Sequence, residues 1–143
     1  MPFEFLDDIA TADIAFEAWG RTLEEMFISA ADATMNVMVE NLEEIERRDS
    51  REIQIGSEAI DMLLFNLLQE VIFFKDAEQL LLRIEQVTIG HRDGLYILEA
   101  IGFGEQIDAG RHELIVDVKA VTLHRFKVEQ TPRGWEATVI LDI

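Results

Sequence analysis

Two hydrophobic periodicities alternate along the amino-acid sequence, and their order predicts the secondary structure. Phe3 to Leu6 is predicted to form a short strand, and apolar residues at every second position then predict a second strand that ends near Trp19. Apolar residues at steps of three and four follow, which is typical of an amphipathic helix over Leu23 to Val39 or somewhat further. Thr22 and Glu25 form a capping-box pattern that favours helix initiation at this point.

The middle of the chain predicts a strand and a second helix. Asn41 to Ser50 is acidic and then basic, which indicates a helix end followed by a surface turn. Arg51 to Ile55 alternates polar with apolar residues and is predicted to be a short strand with one buried face. Ser57 is expected to cap a helix over Glu58 to Phe74, which is apolar nearly all round. Such a helix is expected in the core, covered on more than one side.

The second half of the chain is predicted to be β-structure. Asp93-Gly94 is a strong hairpin signal, Glu105 to Arg111 indicates a polar excursion, and Thr131 to Gly134 indicates a turn. The predicted strands cover Leu81 to Ile89, Leu95 to Phe103, Leu114 to Gln130 and Trp135 to Asp142. The whole order predicts one α+β domain over residues 1–143, with two main helices packed on a largely antiparallel sheet.

Alternation in the last two predicted strands also predicts which side chains face the core. A four-residue loop over Thr131 to Gly134 would place Gln130 opposite Trp135 and Leu123 opposite Asp142. Lys119 is an even step from Leu123, so it would share a face with Asp142 at ~13 Å along the sheet, unless a bulge shortens the path. The predicted core-facing residues are Val116, Val118, Ala120, Thr122, His124, Phe126 and Val128 on one strand, and Trp135, Ala137, Val139 and Leu141 on the other.

Composition narrows the class of protein. The chain has 143 residues, which suits one domain with a full core. Its 29 acidic and 12 basic residues give a formal charge of −17, which argues against unaided nucleic-acid binding and favours a basic partner surface. There is no cysteine, no apolar run long enough to span a membrane and no basic signal-peptide start, so a cytoplasmic location is expected.

Three aspartates crowd the entrance of the second predicted strand. Asp7, Asp8 and Asp13 would repel one another unless a cation or a basic group offsets their charge. Carboxylate oxygens suit hard cations such as Ca²⁺, Mg²⁺ or Mn²⁺. A solvated acidic loop is the alternative that the residue types alone leave open.

Three separated motifs resemble the archease family. They are TLEEMF after AWG, the strand VKAVTLH, and the ending GWEATVILDI, and the resemblance spans essentially the whole chain. It implies an α+β fold and a non-enzymatic activator of the RNA-splicing ligase that joins 2′,3′-cyclic-phosphate and 5′-hydroxyl ends. Such an activator promotes guanylylation of the ligase and its repeated turnover in tRNA splicing.

The resemblance also assigns residues. It implies that Asp13 and Asp142 are metal-binding carboxylates, and that Lys119 and His124 match the lysine and histidine of the family's strand motif. The family usually reads Leu-Asp-His-Thr-Ala-Asp, whereas this chain reads LDDIATAD, so the choice between Asp7 and Asp8 as a further ligand stays open. For His124, a structural histidine on the core face of its strand is the expectation from alternation.

An oxygen-only ligand set leads to the expected cofactor. Asp13, Asp142, one of Asp7 or Asp8, and the α-carboxylate of Ile143 favour a hard cation over Zn²⁺, with Ca²⁺ expected and Mg²⁺ or Mn²⁺ as alternatives. Lys119 is either a solvated lysine or, as the resemblance implies, the residue that acts on the ligase.

A small metal-dependent hydrolase, or another metal-binding interaction module, is the alternative function. Of these, the hydrolase makes the sharper prediction. It would hold its carboxylates in a closed pocket, whereas an activator would present them on a protruding edge. The sequence shows no Ser/His/Asp arrangement or His-rich motif, which favours the activator. The sequence leaves homo-oligomer formation open.

Overall fold

Two antiparallel sheets and two helices form the fold, and each helix contacts both sheets. A computed structural model describes residues 2–6 and 13–143. The first sheet has the strand order β1-β2-β7-β6 and the second has the order β3-β5-β4. The α+β class and the antiparallel pairing are confirmed, although the strands divide between two sheets. The elements are β1 (Phe3–Leu6), β2 (Asp13–Gly20), α1 (Leu23–Met38), a short 3-10 helix (Leu42–Glu44), β3 (Asp49–Ser57), α2 (Ile60–Glu78), β4 (Leu80–Arg92), β5 (Leu95–Gln106), β6 (Ala120–Thr131) and β7 (Gly134–Asp142).

Helix α1 begins at Leu23, as the sequence pattern predicts, and ends at Met38, one residue before the predicted end. The Glu25 amide donates to the Thr22 hydroxyl at 3.1 Å, and the Glu25 carboxylate accepts from the Arg21 amide at 2.9 Å. Arg83 of β4 makes two hydrogen bonds to Asp32, at 3.2 and 3.1 Å, which join α1 to the second sheet. Burial of Asp32 raises the pKa of its carboxyl, although Arg83 opposes the shift.

Helix α2 is longer than its hydrophobic pattern. It runs over Ile60–Glu78, so the predicted range of Glu58 to Phe74 is wrong at both ends. Ser57 belongs to β3 and does not cap the helix; its hydroxyl accepts from the Ala59 amide at 3.3 Å. The last turn is polar, so apolar periodicity could not reveal it, and the helix ends where Gln79 adopts a left-handed conformation with φ 53°.

The burial of α2 agrees with the prediction of a core helix. Strands β3, β4 and β5 contact it from the second sheet, while β6 of the first sheet and α1 contact it from other directions. Its buried apolar side chains are Leu63, Leu64, Leu67, Leu68, Val71 and Ile72. Among the described residues, no helix is long and apolar enough to cross a lipid bilayer.

The second sheet contains the predicted hairpin. Arg92 pairs with Leu95 across a two-residue turn, and Asp93 and Gly94 both have positive φ, as this turn requires. Strand β3 pairs with β5 over its whole length. All three strands extend beyond their predicted ranges, because pairing continues into residues whose sequence lacks alternation.

The long strand predicted over Leu114 to Gln130 is shorter in the structure. Strand β6 begins at Ala120, and the preceding segment pairs instead with the end of α1. Leu114 forms an isolated bridge with Val39, and the Ile115 amide donates to the Met38 carbonyl at 2.9 Å. The prediction failed because alternation continues through both segments, although only the second has a partner strand.

A bulge in β6 changes which residues face the core. Thr122 pairs with Ile140 and Lys127 pairs with Thr138, so residues 123–126 lie opposite Val139 alone. The bulge adds an odd number of residues, and side chains alternate along a strand, so a different set of alternate residues faces the core on each side of the bulge. Val121, Phe126 and Val128 pack on the core, whereas Ala120 and Thr122 do not belong to it.

His124 therefore does not lie on a core face. It is exposed within the bulge, beside Arg125, whose φ of 55° is in the left-handed region. Val116 is exposed as well, outside any strand. Both predictions of burial are wrong, because they assumed one unbroken register. On β7 the predicted core face is confirmed, with Ala137, Val139 and Leu141 buried in the core.

Substitution of Gly134 is expected to destabilise the fold. Gln130 faces Trp135 as predicted, and Gly134 begins β7 with φ 114°. A Cβ at this position would overlap the Gly20 carbonyl oxygen and lie 2.8 Å from the Arg21 carbonyl oxygen. We expect Gly134→Ala to lower the free energy of unfolding by roughly 2 kcal/mol or more, measured by urea denaturation.

Gly90→Ala is the matched control. No atom lies within 4 Å of a Cβ at Gly90, so the change should stay within about 0.5 kcal/mol. Equal effects of the two substitutions would contradict the close packing at Gly134.

Candidate functional site

Asp13 and Asp142 lie side by side although they are near opposite ends of the chain. Asp13 begins β2 and Asp142 ends β7, and the two residues are directly paired in the antiparallel register. Paired residues of adjacent strands share a face, with Cβ atoms typically about 4.5–5.5 Å apart. Both residues are half-buried. The structure thus brings together the two carboxylates that the resemblance assigned to a metal.

Lys119 lies next to Asp142, which corrects the predicted spacing. Ala120, not Leu123, is the residue opposite Asp142. The Lys119 amide donates to the Asp142 carbonyl at 2.8 Å. The predicted separation of ~13 Å is therefore wrong. The predicted shared face is wrong as well, because Lys119 is one residue from Ala120, the residue that shares a face with Asp142. The bulge after Thr122 accounts for the difference, because it shifts the register by three residues between the turn and the site.

Helix α2 fixes the segment that carries Lys119. The buried Lys75 ammonium donates to the Val118 carbonyl at 2.9 Å and forms an ion pair with Asp117. The Gln69 side-chain carbonyl accepts from the Val121 amide at 3.1 Å. Burial lowers the pKa of Lys75, but the hydrogen bonds that its ammonium donates to Asp117 and Asp76 outweigh burial and raise the pKa overall. The ammonium therefore stays charged and holds the backbone just before Lys119, while Gln69 holds the backbone just after it.

Lys75 was not among the predicted site residues, because the predicted helix ended one residue before it. One signal could have identified it, since a lysine following a long apolar helix is well placed to bind carbonyl or carboxylate oxygens near the helix end.

The remaining predicted site residues do not all lie at this position. Asp7 and Asp8 lie outside the described residues. Ile143 follows Asp142 directly and is half-buried. His124 is exposed on the bulge of β6 and is separated in sequence from Lys119 by the residues that pair with β7. Within residues 2–6 and 13–143, no group of three or more metal-ligating side chains comes together.

The paired aspartates need a counter-charge. Like charges directly opposite one another on a sheet are destabilising. In the part of the chain that the structure describes, neither Asp13 nor Asp142 forms a salt bridge. Two carboxylates on one face offer oxygen donors only, which is the chemistry that a hard divalent cation requires. The donor set therefore fits such a cation, although these two side chains alone do not complete a coordination sphere.

A second polar cluster surrounds Glu105 at the end of β5. The buried carboxylate accepts hydrogen bonds from the Glu46 amide at 2.7 Å and from His112 Nε2 at 3.0 Å. Arg111 forms an ion pair with it, and Arg48 Nε lies 3.3 Å away. The sequence predicted only a polar excursion here, because a buried carboxylate surrounded by its partners has no periodic signal.

Protonation states within this cluster follow from its hydrogen bonds. The Asp108 amide donates to His112 Nδ1 at 2.9 Å, so the imidazole carries its proton on Nε2 and donates it to Glu105. Burial by itself raises the pKa of Glu105, but the hydrogen bonds from Arg111, the Glu46 amide and His112 lower it to about 2. The cluster joins two loops and has no accessible group that suggests catalysis.

Three cavities lie elsewhere on the described surface. The first, of about 540 Å³, lies on the second sheet around Glu52, Glu99 and Ile101, and the second, of about 580 Å³, adjoins the Glu105 cluster. A third, of about 200 Å³, lies beside Lys75 and Ile115. None of these three is lined by Asp13, Asp142 or Lys119. The two aspartates therefore lie where the two central strands of the first sheet end, at the edge of the sheet that strand ends form, and outside these three cavities.

Comparison with known proteins gives concordant results. Residues 3–143 match the model of the Archease protein family (MTH1598/TM1083). The protein archease of Pyrococcus furiosus is 38% identical over 134 residues, which cover 93% of this chain and 94% of that protein. The protein archease of Methanosarcina mazei is 33% identical over 142 residues, which cover 99% and 95% of the two chains.

Solved structures give the same result. The solution structure of Methanobacterium thermoautotrophicum protein 1598 is 37% identical, with a TM-score of 0.86 over 99% of both chains. The crystal structure of a Thermotoga maritima archease, described as a possible chaperone, has a TM-score of 0.60 over 98% of both chains at 20% identity. The second likeness shows the shared fold.

Acid is expected to remove the contribution of Glu105 to stability. Its pKa is about 2 in the folded protein and about 4.3 in an unfolded chain. The stabilisation is therefore fully present above pH 4.3 and is lost as the pH falls toward 2. We expect Glu105→Gln to lower the free energy of unfolding by roughly 1–3 kcal/mol at pH 7, measured by urea denaturation.

The difference in the free energy of unfolding between wild type and Glu105→Gln should narrow steadily as the pH falls from 5 to 2. Glu52→Gln, on the open face of the second sheet, serves as the control, and its free energy of unfolding should stay close to that of the wild type at either pH. A gap between wild type and Glu105→Gln that stays constant with pH would contradict the depressed pKa.

Proposed function

The chain belongs to the archease family. We propose that it is a non-enzymatic activator of the RNA ligase that joins 2′,3′-cyclic-phosphate and 5′-hydroxyl ends. In this role it promotes guanylylation of the ligase and its multiple turnover in tRNA splicing. The observation that carries the proposal is the convergence of Asp13, Asp142 and Lys119 at one edge of the first sheet.

The position of these groups favours an activator over an independent hydrolase. A metal-dependent hydrolase surrounds its carboxylates with a substrate cavity and a general base or nucleophile. Asp13 and Asp142 lie at the ends of their strands, and they line none of the three cavities described above. Groups on such an edge can be inserted into the site of another protein.

We propose that a divalent cation, with Ca²⁺ favoured over Mg²⁺ and Mn²⁺, binds at this edge. Asp13 and Asp142 would hold it, together with one of Asp7 or Asp8 and the carboxylate of Ile143. A bound cation supplies positive charge that offsets the repulsion between the two paired carboxylates. The observed pairing supports this proposal, because it leaves two aspartates on one face of the sheet without a basic partner among the described residues.

Lys119 is the residue proposed to act on the ligase. Its backbone is fixed by the Asp142 carbonyl, while its side chain is exposed. Its ammonium group is therefore available to the nucleotide phosphate or to an acidic group of the partner. The neighbouring bonds from Lys75 and Gln69 keep the backbone of this segment in place, so little conformational entropy is lost when the side chain engages a partner.

The overall charge supports a protein partner. At −17, the chain should be steered toward a basic surface on the ligase and away from the phosphate backbone of free RNA. The direct test mixes this protein with its ligase and radiolabelled GTP and measures the covalent ligase–guanylate formed. Absence of any acceleration would contradict the proposal, as would tight RNA binding by this chain alone.

Metal binding is expected to stabilise the fold through Asp13. A cation at 100 times its Kd should add about 2.7 kcal/mol to the free energy of unfolding. We expect Ca²⁺ or Mn²⁺ to raise the melting temperature of the wild type by several degrees, and to leave that of Asp13→Asn unchanged. Asp49→Asn, which alters an exposed aspartate at the start of β3, should respond like the wild type. Equal shifts in all three proteins would eliminate the site.

Lys119→Ala is expected to separate activation from folding. The side chain is exposed, and the backbone hydrogen bond to Asp142 is retained in alanine, so the melting temperature should change by less than about 2 °C. Ligase guanylylation should fall to the level seen without the activator. Lys127→Ala removes an exposed lysine of the β6–β7 hairpin and should activate normally. Normal activation by Lys119→Ala would show that the lysine has no such role.

A further inference from the structure

Three consecutive apolar residues are exposed just before Lys119. Leu114, Ile115 and Val116 have 46%, 50% and 37% of their surface accessible. They border the cavity of about 200 Å³, whose other apolar lining comes from Met38, Leu81 and Ile107. We call the three residues and this cavity the apolar patch. Contiguous exposed apolar surface of this kind usually marks an interaction site.

The apolar patch is held in place and is not a frayed loop. The Ile115 amide donates to the Met38 carbonyl, and the Glu40 amide donates to the Glu113 carbonyl, both at 2.9 Å. Beyond the patch, Lys75 binds the Val118 carbonyl. These bonds on both sides fix the backbone while the three side chains remain in water. A rigid apolar surface of this kind loses little conformational entropy when a partner covers it.

Charges around the apolar patch indicate what covers it. Glu40 and Glu113 lie beside its first residue, Asp117 beside its last, and Asp76 next to Lys75, and all four carboxylates are exposed. The ammonium of Lys75 is buried beneath them. We call these four carboxylates the charged rim. A second copy of this chain would place its own charged rim against the first and be repelled, and an anionic lipid surface would be repelled as well. A protein surface with apolar side chains at its centre and basic residues around them has the matching chemistry.

We propose that the apolar patch is the docking surface for such a basic, apolar-centred surface of the ligase, an inference that rests on the proposed function. The patch is continuous with the site, because Val116 is three residues from Lys119, a span of about 10 Å in extended chain. Docking supplies affinity and places Lys119, Asp13 and Asp142 against the partner. The apolar patch thus provides affinity for the ligase, whereas the neighbouring Lys119, Asp13 and Asp142 provide activation.

The test compares a charge placed in the apolar patch with the same charge placed elsewhere. Ile115→Glu should raise the Kd for the ligase at least tenfold, measured by fluorescence anisotropy of the labelled protein. Leu95→Glu is the control, because it places the same charge at an exposed leucine on the β4–β5 hairpin. Leu95 is far from the apolar patch: it lies ten residues along β5 from Glu105, which pairs with Leu81 of the patch cavity. It should bind within twofold of the wild type. Ile115→Ser serves as a second variant should Ile115→Glu lower the melting temperature.

The charged rim has its own test. Glu113→Lys should weaken binding more at low salt than at high salt, because salt screens exposed charges. Glu99→Lys, which reverses an exposed charge on the second sheet, should have little effect. Equal effects of the two reversals would overturn the assignment of a basic partner surface to this rim.

The outcomes separate docking from activation. Ile115→Glu should still activate fully when added at saturating concentration, whereas Lys119→Ala should bind normally and fail to activate. If the wild type activates and Ile115→Glu binds within twofold of it, the docking surface is overturned while the proposed function stands. If the wild type neither binds nor activates the ligase, the proposed function is overturned, and the docking assignment with it. A wild-type dimer that Ile115→Glu dissociates in sedimentation would assign the apolar patch to a second copy instead.

Discussion

Burial of α2 against both sheets is the constraint on which the other parts of the structure depend. Its leucines pack on the second sheet, on β6 and on α1, so the two sheets share one core. Because α2 is packed on several sides, its backbone gives a fixed base to the polar side chains that reach the neighbouring segments. Gln69 and Lys75 use that rigidity to fix the segment around Lys119. The packing of a buried helix thereby determines the position of an exposed lysine on a different element.

Pairing of β2 with β7 creates the carboxylate site. These strands come from opposite ends of the sequence, so the site exists only in the folded chain. Unfolding would separate Asp13 from Asp142 and remove their repulsion, which means that the pairing costs stability unless a cation offsets it. Retaining two carboxylates there at the expense of stability is expected of a functional site rather than of a structural one. The carboxylates at this edge therefore support the proposed function more strongly than the overall negative charge does.

Buried charges elsewhere serve to hold loops. Glu105 binds the Glu46 amide, Arg111 and His112, and so joins the loop before β3 to the loop after β5. Lys75 joins α2 to the segment before β6 in the same manner. Each buried ion has several hydrogen-bond partners, which offsets the cost of removing it from water. Irregular segments can thus be as well fixed as strands, and the apolar patch depends on that property.

The sequence by itself determined the elements whose signals are local. Thr22 and Glu25 marked the start of α1, Asp93-Gly94 marked the β4–β5 turn, and alternation identified the core face of β7. Family motifs identified Asp13, Asp142 and Lys119 as residues to examine, and the pairing of the two aspartates agrees with that choice.

Tertiary structure alone decided what depends on partners distant in sequence. The bulge over residues 123–126 changed the parity of β6, exposed His124 and brought Lys119 beside Asp142. The apolar positions do change phase there, from Val121 and Leu123 to Phe126 and Val128, but the prediction of one unbroken strand did not take this change into account. Leu114 to Val116 were included in a predicted strand but contact the end of α1, and the ion pairs of the buried Glu105 and Lys75 carry no periodic signal. The physical reason is that periodicity reports which residues can share a face, whereas register and burial are set by which segment packs opposite.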